Sequence, residues 1–253
     1  MASELITTSS SAGWKAQNLQ LIAFPCEPQT GASNPEWFIN TIGVEPETTS
    51  KKYRRVDAAI VDGRHVTLTI DLGRIAWAEM AIVDNENLPE EMPTLGDLTD
   101  AVKRFSKLIR QWLPHCPPIN RLSFAGKILL PTTDRIASYK QIGKYLTNVK
   151  IDGETSSDFI YRINRKRKSI TLPAYEINRL STWASLKLTI VAKTELSLEG
   201  APEFSEDFAA CSVDLDINTI PEITTPIPSD RLIDLFDELL SLGMEIAEKG
   251  DIP

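Results

Sequence analysis

Histidine and cysteine are scarce: the 253 residues hold two of the first and three of the second. A zinc site needs four ligands, and His115 with Cys116, being adjacent, cannot close around one ion, while His65 has no neighbour at chelating spacing. No C-x-x-C pair links Cys26, Cys116 and Cys211, so free thiols in a reducing compartment are expected rather than a disulfide frame. The 12 glycines are scattered, with no G-x-G-x-x-G and no G-x-x-x-x-G-K-[ST], which removes the familiar phosphate-binding loops; no cofactor is expected. G-x-S-x-G is absent too, and neither histidine is placed for an acyl-transfer triad. No apolar run approaches the roughly 18 residues of a membrane span, because the longest, Ile75 to Val83, is broken by Glu79. The N-terminus has no basic region ahead of an apolar run, so no signal peptide is read and the expected address is cytoplasmic. Basic residues are outnumbered, 27 against 35, and the net charge of −8 repels nucleic acid and anionic membrane except where contact is local.

What is present is an average globular composition, 42% hydrophobic and 25% charged, of a length lying between one large domain and two small ones. Residues 1–13 read as a flexible Ser/Thr-rich tail. A strand from Gln17 to Phe24 stops at Pro25, and Asn34-Pro35 starts a short helix that Gly43 closes. Three strands follow Arg54, with Asp62-Gly63 as a hairpin turn between alternating Val56, Ala58, Ile60 and Val66, Leu68, Ile70. Leu98, Val102, Phe105, Ile109 and Trp112 make one helical stripe ending before Pro114. The plan then repeats. Leu122, Phe124 and Ile128 lie on a strand ended by Pro131, and Thr133 or Asp134 caps a helix to about Leu146. Strands are expected at Phe159–Ile163, Ile170–Ile177 and Trp183–Ala192, then at Cys211, Val213, Leu215 and Ile217. Ser229 is the expected N-cap of a last helix bearing Leu232, Leu235, Phe236 and Leu239. The expected fold is therefore α+β: two β-α-β-β-β-α halves, 14–114 and 115–253, with an extra strand in the second, forming one compact unit in which antiparallel sheet packs on long amphipathic helices.

Arg121-Leu122-Ser123-Phe124 on a strand, Val213-Asp214-Leu215-Asp216-Ile217 before the last helix, and that closing helix together resemble a sporadically distributed family of uncharacterised bacterial proteins of about this length. The resemblance runs from Leu98 to Ile246, with Gly126 standing where the family strand continues into Asn. It brings no activity. It implies an accessory, antitoxin-like role in a bacterial defence or toxin–antitoxin locus, because such proteins often occur near mobile or defence genes.

Two basic runs stand in corresponding places of the halves. Lys51, Lys52, Arg54 and Arg55 precede the first hairpin, and Arg162 with Arg165, Lys166, Arg167 and Lys168 marks an expected hairpin tip. In a duplicated saddle they would form one basic patch for nucleic acid, read through phosphates. The alternative is a set of solvated charges that block edge pairing. Asp214 and Asp216 share a strand face and, with Asp71, are the weak candidates for a divalent ion in a metal-dependent nuclease; no lysine stands at the spacing such an enzyme needs.

With no nucleophile, base and orienting group to assemble, the leading expectation is a non-catalytic protein-binding or adaptor protein. Its partner would be another protein or a second copy of itself. Nucleic acid is the runner-up, and membrane is not expected. One sheet face or edge is expected to be open, and at least one of Trp14, Trp37, Trp77, Trp112 and Trp183 to sit on an interface.

Overall fold

Period-two patterning in most of the strands accompanies one ten-stranded antiparallel sheet, with four α-helices among the described residues. The computed structural model describes residues 13–30, 36–83, 88–192, 204–222 and 225–253. The expected tail, Gly13 apart, and the Asn34-Pro35 helix start lie outside them. The elements are β1 (Lys15–Pro25), α1 (Trp37–Ile42), β2 (Glu47–Lys51), β3 (Arg54–Val61), β4 (Arg64–Asp71), β5 (Arg74–Ala81) and α2 (Leu98–Trp112). They continue as β6 (Ile119–Thr132), α3 (Arg135–Tyr145), β7 (Ile160–Asn164), β8 (Arg167–Lys168), β9 (Glu176–Ala192), β10 (Phe204–Thr219) and α4 (Leu232–Lys249). The strand order is β2-β3-β4-β5-β1-β6-β10-β9-β7, with β8 also paired to β9.

Local chemistry sets the boundaries. Asp62 and Gly63 both take positive φ, 47° and 72°, as a two-residue turn between twisted strands requires. Asp134 accepts the Ala137 N–H at 2.8 Å and caps α3. Gly250 ends α4 at φ 77°, and a Cβ there would overlap the carbonyl of Tyr145, so the end of α4 is held against the end of α3.

The core is built on one face. Antiparallel register places Leu68, Trp77, Leu21, Phe124, Ile217 and Arg179 in one row across β4, β5, β1, β6, β10 and β9. Each ring contact between helix and sheet falls on this inner face. Phe38 of α1 stacks on Trp77 at 5.8 Å, Phe105 of α2 lies 6.5 Å from Phe124, and Tyr145 of α3 stacks on Trp183 at 5.5 Å. Gly243 of α4 sits against Phe124 and Ile217. Leu98, Val102, Phe105, Ile109, Leu232, Leu235, Phe236 and Leu239 are all buried, in one apolar cluster that takes residues from both halves of the chain.

Several expectations need correction. Glu47–Lys51 forms a strand that alternation cannot reveal, because ETTSK has no apolar residue and every position is exposed at the sheet edge. Pro131 does not end β6, which runs on to Thr132; beyond Leu129 the strand has lost β1 and, among the described residues, pairs only with β10, where a missing N–H is tolerated. Ile170 to Tyr175 is not a strand, because Glu238 of α4 accepts the N–H groups of Ile170 and Thr171 at 2.6 and 3.0 Å. Lys168 and Arg167 pair with β9 in its place. Ser229 opens a 3-10 turn, and Arg231 occupies the N-cap of α4. Four tryptophans, Trp14, Trp77, Trp112 and Trp183, are core residues at 1% exposure or less, and Trp37 packs against the same core.

Candidate functional site

The two strands that carry the resemblance, β6 and β10, are neighbours. Their register sets Ser123 opposite Asn218, Ala125 opposite Asp216 and Lys127 opposite Asp214. These residues alternate with the core positions Leu122, Phe124, Leu215 and Ile217, so they project from the outer face, away from the helix contacts. β1 adds Asn18 and Gln20 to this face, β9 adds Asn178 and Thr182, and β7 adds Arg162 and Asn164.

A chain of hydrogen bonds crosses four strands here. Asn164 Nδ2 donates to Asn178 Oδ1 at 2.9 Å, Asn178 Nδ2 donates to Asn218 Oδ1 at 3.0 Å, and Asn218 Nδ2 donates to Asp216 Oδ1 at 2.8 Å. Ser123 Oγ donates to the same Asp216 oxygen, and Asn164 Oδ1 accepts the backbone N–H of Arg179. Each amide fixes the orientation of the next. Arg121 closes the row: its Nη2 donates to Asn218 Oδ1 at 3.0 Å, its guanidinium lies 4.7 Å over the Phe24 ring, and its buried Nε has no partner among the described residues. The Phe24 ring and the Asn218 amide oxygen together fix where the Arg121 guanidinium lies.

Both metal candidates already have protein partners. Asp214 faces Lys127 Nζ at 3.3 Å, and Asp216 accepts from Ser123 and Asn218. Asp71 is held by Arg74 and the Gly73 N–H. Among the described residues no three His, Cys, Asp or Glu side chains are grouped to hold a metal ion. His65 lies half-buried on the outer face of β4 between Ile60 and Met80, and His115 is exposed in a 3-10 turn after α2. All three cysteines are free, and burial pushes the Cys116 and Cys211 thiols up to about 12, which leaves them protonated and poor nucleophiles.

The basic runs do not form one patch: β2–β3 and β7–β8 stand at opposite edges of the sheet. Lys51, Lys52 and Arg54 are exposed at the β2–β3 turn, whereas Arg55 is bonded to the fully buried Asp57 through Nε at 2.9 Å. The second run is no hairpin tip. Arg165 clasps Asp251 with two bonds, 2.8 and 2.9 Å, which holds that carboxyl below its ordinary range. Arg167 reaches Glu245 at 2.7 Å and the carbonyl of Pro253, and the buried Arg179 reaches Glu245 at 3.0 Å. These arginines tie the chain end to the sheet, leaving Arg162, Lys166 and Lys168 as its exposed cations.

The outer-face amides carry no sequence signal. Asn164, Asn178 and Asn218 lie on three different strands, and only the register brings them together.

Fold and face together define an α+β protein whose outer sheet face is polar around Asp214, Asp216, Asn178 and Asn164 and apolar around Leu129, Ala210, Leu186 and Leu188, with no described helix long and apolar enough to cross a membrane. No protein-family model, curated protein or solved structure matches the chain.

Proposed function

We propose that this is a non-catalytic binding protein that engages another protein across the outer face of its sheet. The observation that carries the reading is the row Arg121, Asn178 and Asn164, the first two fixed through the buried Asn218, 4% exposed. Side chains already fixed by one another lose little freedom on binding, and amides beside a stacked guanidinium match peptide carbonyls and carboxylates. Asp214 and Asp216 on the same face oppose a phosphate backbone. The exposed cations that suit nucleic acid sit at the two sheet edges, on the order of 40 Å apart at roughly 4.8 Å per strand.

The halves 14–114 and 115–253 are read as copies of one duplicated unit. The strands that open them, β1 and β6, lie side by side at the middle of the sheet, each flanked outward by its own half's later strands, β5 then β4 and β10 then β9. An accessory role in a cytoplasmic bacterial defence or toxin–antitoxin system rests on the sequence resemblance and the free thiols.

The test is affinity capture from extract of the source organism, with and without nuclease, on wild-type protein and an Arg121→Ala/Asn178→Ala variant of unchanged melting temperature. The reading expects one stoichiometric protein, retained after nuclease by the wild type and lost by the variant. Capture that disappears with nuclease, or that the variant retains, contradicts it.

A further inference from the structure

The long β9–β10 hairpin is paired on one side only over part of its length. β7 accompanies β9 from Leu180 to Ala184 and β8 from Glu176 to Ile177, so among the described residues Ser185–Val191 pairs with β10 alone. The phase of the backbone is set by its neighbours. Arg179 O accepts from Arg165 N and Tyr175 O from Ser169 N on the β7–β8 side, whereas Glu176 O accepts from Ile220 N on the β10 side. Odd-numbered residues therefore aim N–H and C=O away from β10, and the unbroken β9–β10 register carries that phase to Val191. Ser185, Lys187, Thr189 and Val191 present these groups at an open edge, a ready template for another strand.

We propose that the occupant of this edge is the same segment of a second copy, paired antiparallel about a twofold axis at Leu188. The free stretch begins where Ile160 ends the β7 ladder and runs to the end of β9, and its midpoint is Leu188. Pairing it with itself about that midpoint sets Ser185 opposite Val191 of the second copy and Lys187 opposite Thr189, odd facing odd, as the hydrogen-bond phase demands. The other face then sets Leu188 against Leu188 and Leu186 against Ile190. That apolar row continues the small cluster in which Leu186 and Leu188 pack beside Met92, Leu129 and Ala210. A shift of the axis by one residue toward Lys187 would set two lysines directly opposite, and like charges so placed are unfavourable. Edge lysines ordinarily guard against such pairing. Lys187, however, is turned back over β10 by Asp207 at 2.9 Å, and Thr189 donates to the same carboxylate. Val191 and Ile160, 40% and 69% exposed, flank the edge and would be covered.

Sedimentation of the full chain tests this. The proposal expects a concentration-dependent species of twice the monomer mass. It expects that species to be lost in Thr189→Pro, whose ring removes an edge N–H without touching the β10 ladder, with helix and strand content and melting temperature of the monomer kept. A second variant guards against misfolding: Leu188→Cys should form a spontaneous interchain disulfide under oxidation, since directly opposed residues of a non-hydrogen-bonded pair lie within disulfide reach. A chain that stays monomeric at all concentrations overturns the proposal, as does a dimer that survives Thr189→Pro, or a Leu188→Cys variant that forms no interchain cross-link. None of these outcomes bears on recognition by the outer face.

Discussion

Two glycine-to-alanine substitutions on different helices should move stability in opposite directions, and the difference measures how tightly α4 is seated. Ala is favoured over Gly in a helix interior by about 1 kcal/mol. At Gly143 of α3 a new Cβ meets nothing within 4 Å, so Gly143→Ala should gain up to about 1 kcal/mol. At Gly243 the new Cβ would lie 3.0 Å from Phe124 Cε1, 3.3 Å from Cδ1 and 3.5 Å from Ile217 Cγ1. Phe124 has no room to retreat, because it is 1% exposed, sits between Leu21 and Ile217 in its row and meets Phe105 at 6.5 Å. Overpacking of this kind costs about 1–3 kcal/mol, which exceeds the helical gain, so Gly243→Ala should lose about 1 kcal/mol net. At about 2–4 °C per kcal/mol for a chain of this size, thermal melts should separate the two variants by several degrees, with the wild type between them. A Gly243→Ala protein that melts at or above the wild type would refute the close seating of α4 on Phe124.

Other substitutions probe the core, the charged ties and the histidines. Phe105→Ala and Phe236→Ala, each removing a fully buried ring, should cost about 3–5 kcal/mol by denaturant titration; wild-type midpoints would show these helix faces are not core. Glu245→Ala leaves the buried Arg179 without its carboxylate and should cost about 3 kcal/mol by the same assay, and an unchanged midpoint would mean the pair contributes nothing. Asp251, whose carboxyl is held low by Arg165 and Tyr161, adds stability that is full above its unfolded pKa of about 4. That stability fades as pH falls through the lower folded value, so Asp251→Asn should flatten the acid limb of stability against pH, and an unchanged limb would contradict the pairing. His65→Ala and His115→Ala should leave partner capture intact, and its loss in a well-folded variant would reopen catalysis or metal binding.

Legibility in the sequence followed the chemistry of each segment. The β3–β4 hairpin was readable because its turn, Asp62-Gly63, and its alternation are both local, and α2 because its stripe is continuous from Leu98 to Trp112. β2 was not readable, since an edge strand without apolar residues repeats no pattern. The basic run 165–168 misled for a different reason. Its neutralising carboxylates, Asp251 and Glu245, lie at the far end of the chain on and just past α4, and charge counted along the sequence cannot show it. The amide row likewise depends on register between strands remote in sequence, where a slip of one residue would send Asn218 into the core.

The central claim, that the outer face is where a protein partner sits, is tested most directly by site-specific photocross-linking. A photoreactive residue at Gln20, on the outer face of β1, and another at the exposed Lys103 of α2 are irradiated in extract of the source organism. The account predicts a discrete nuclease-resistant adduct from position 20 that vanishes when Arg121→Ala is added, and none from position 103. An adduct from position 103 alone, or one from position 20 that nuclease removes, would contradict it.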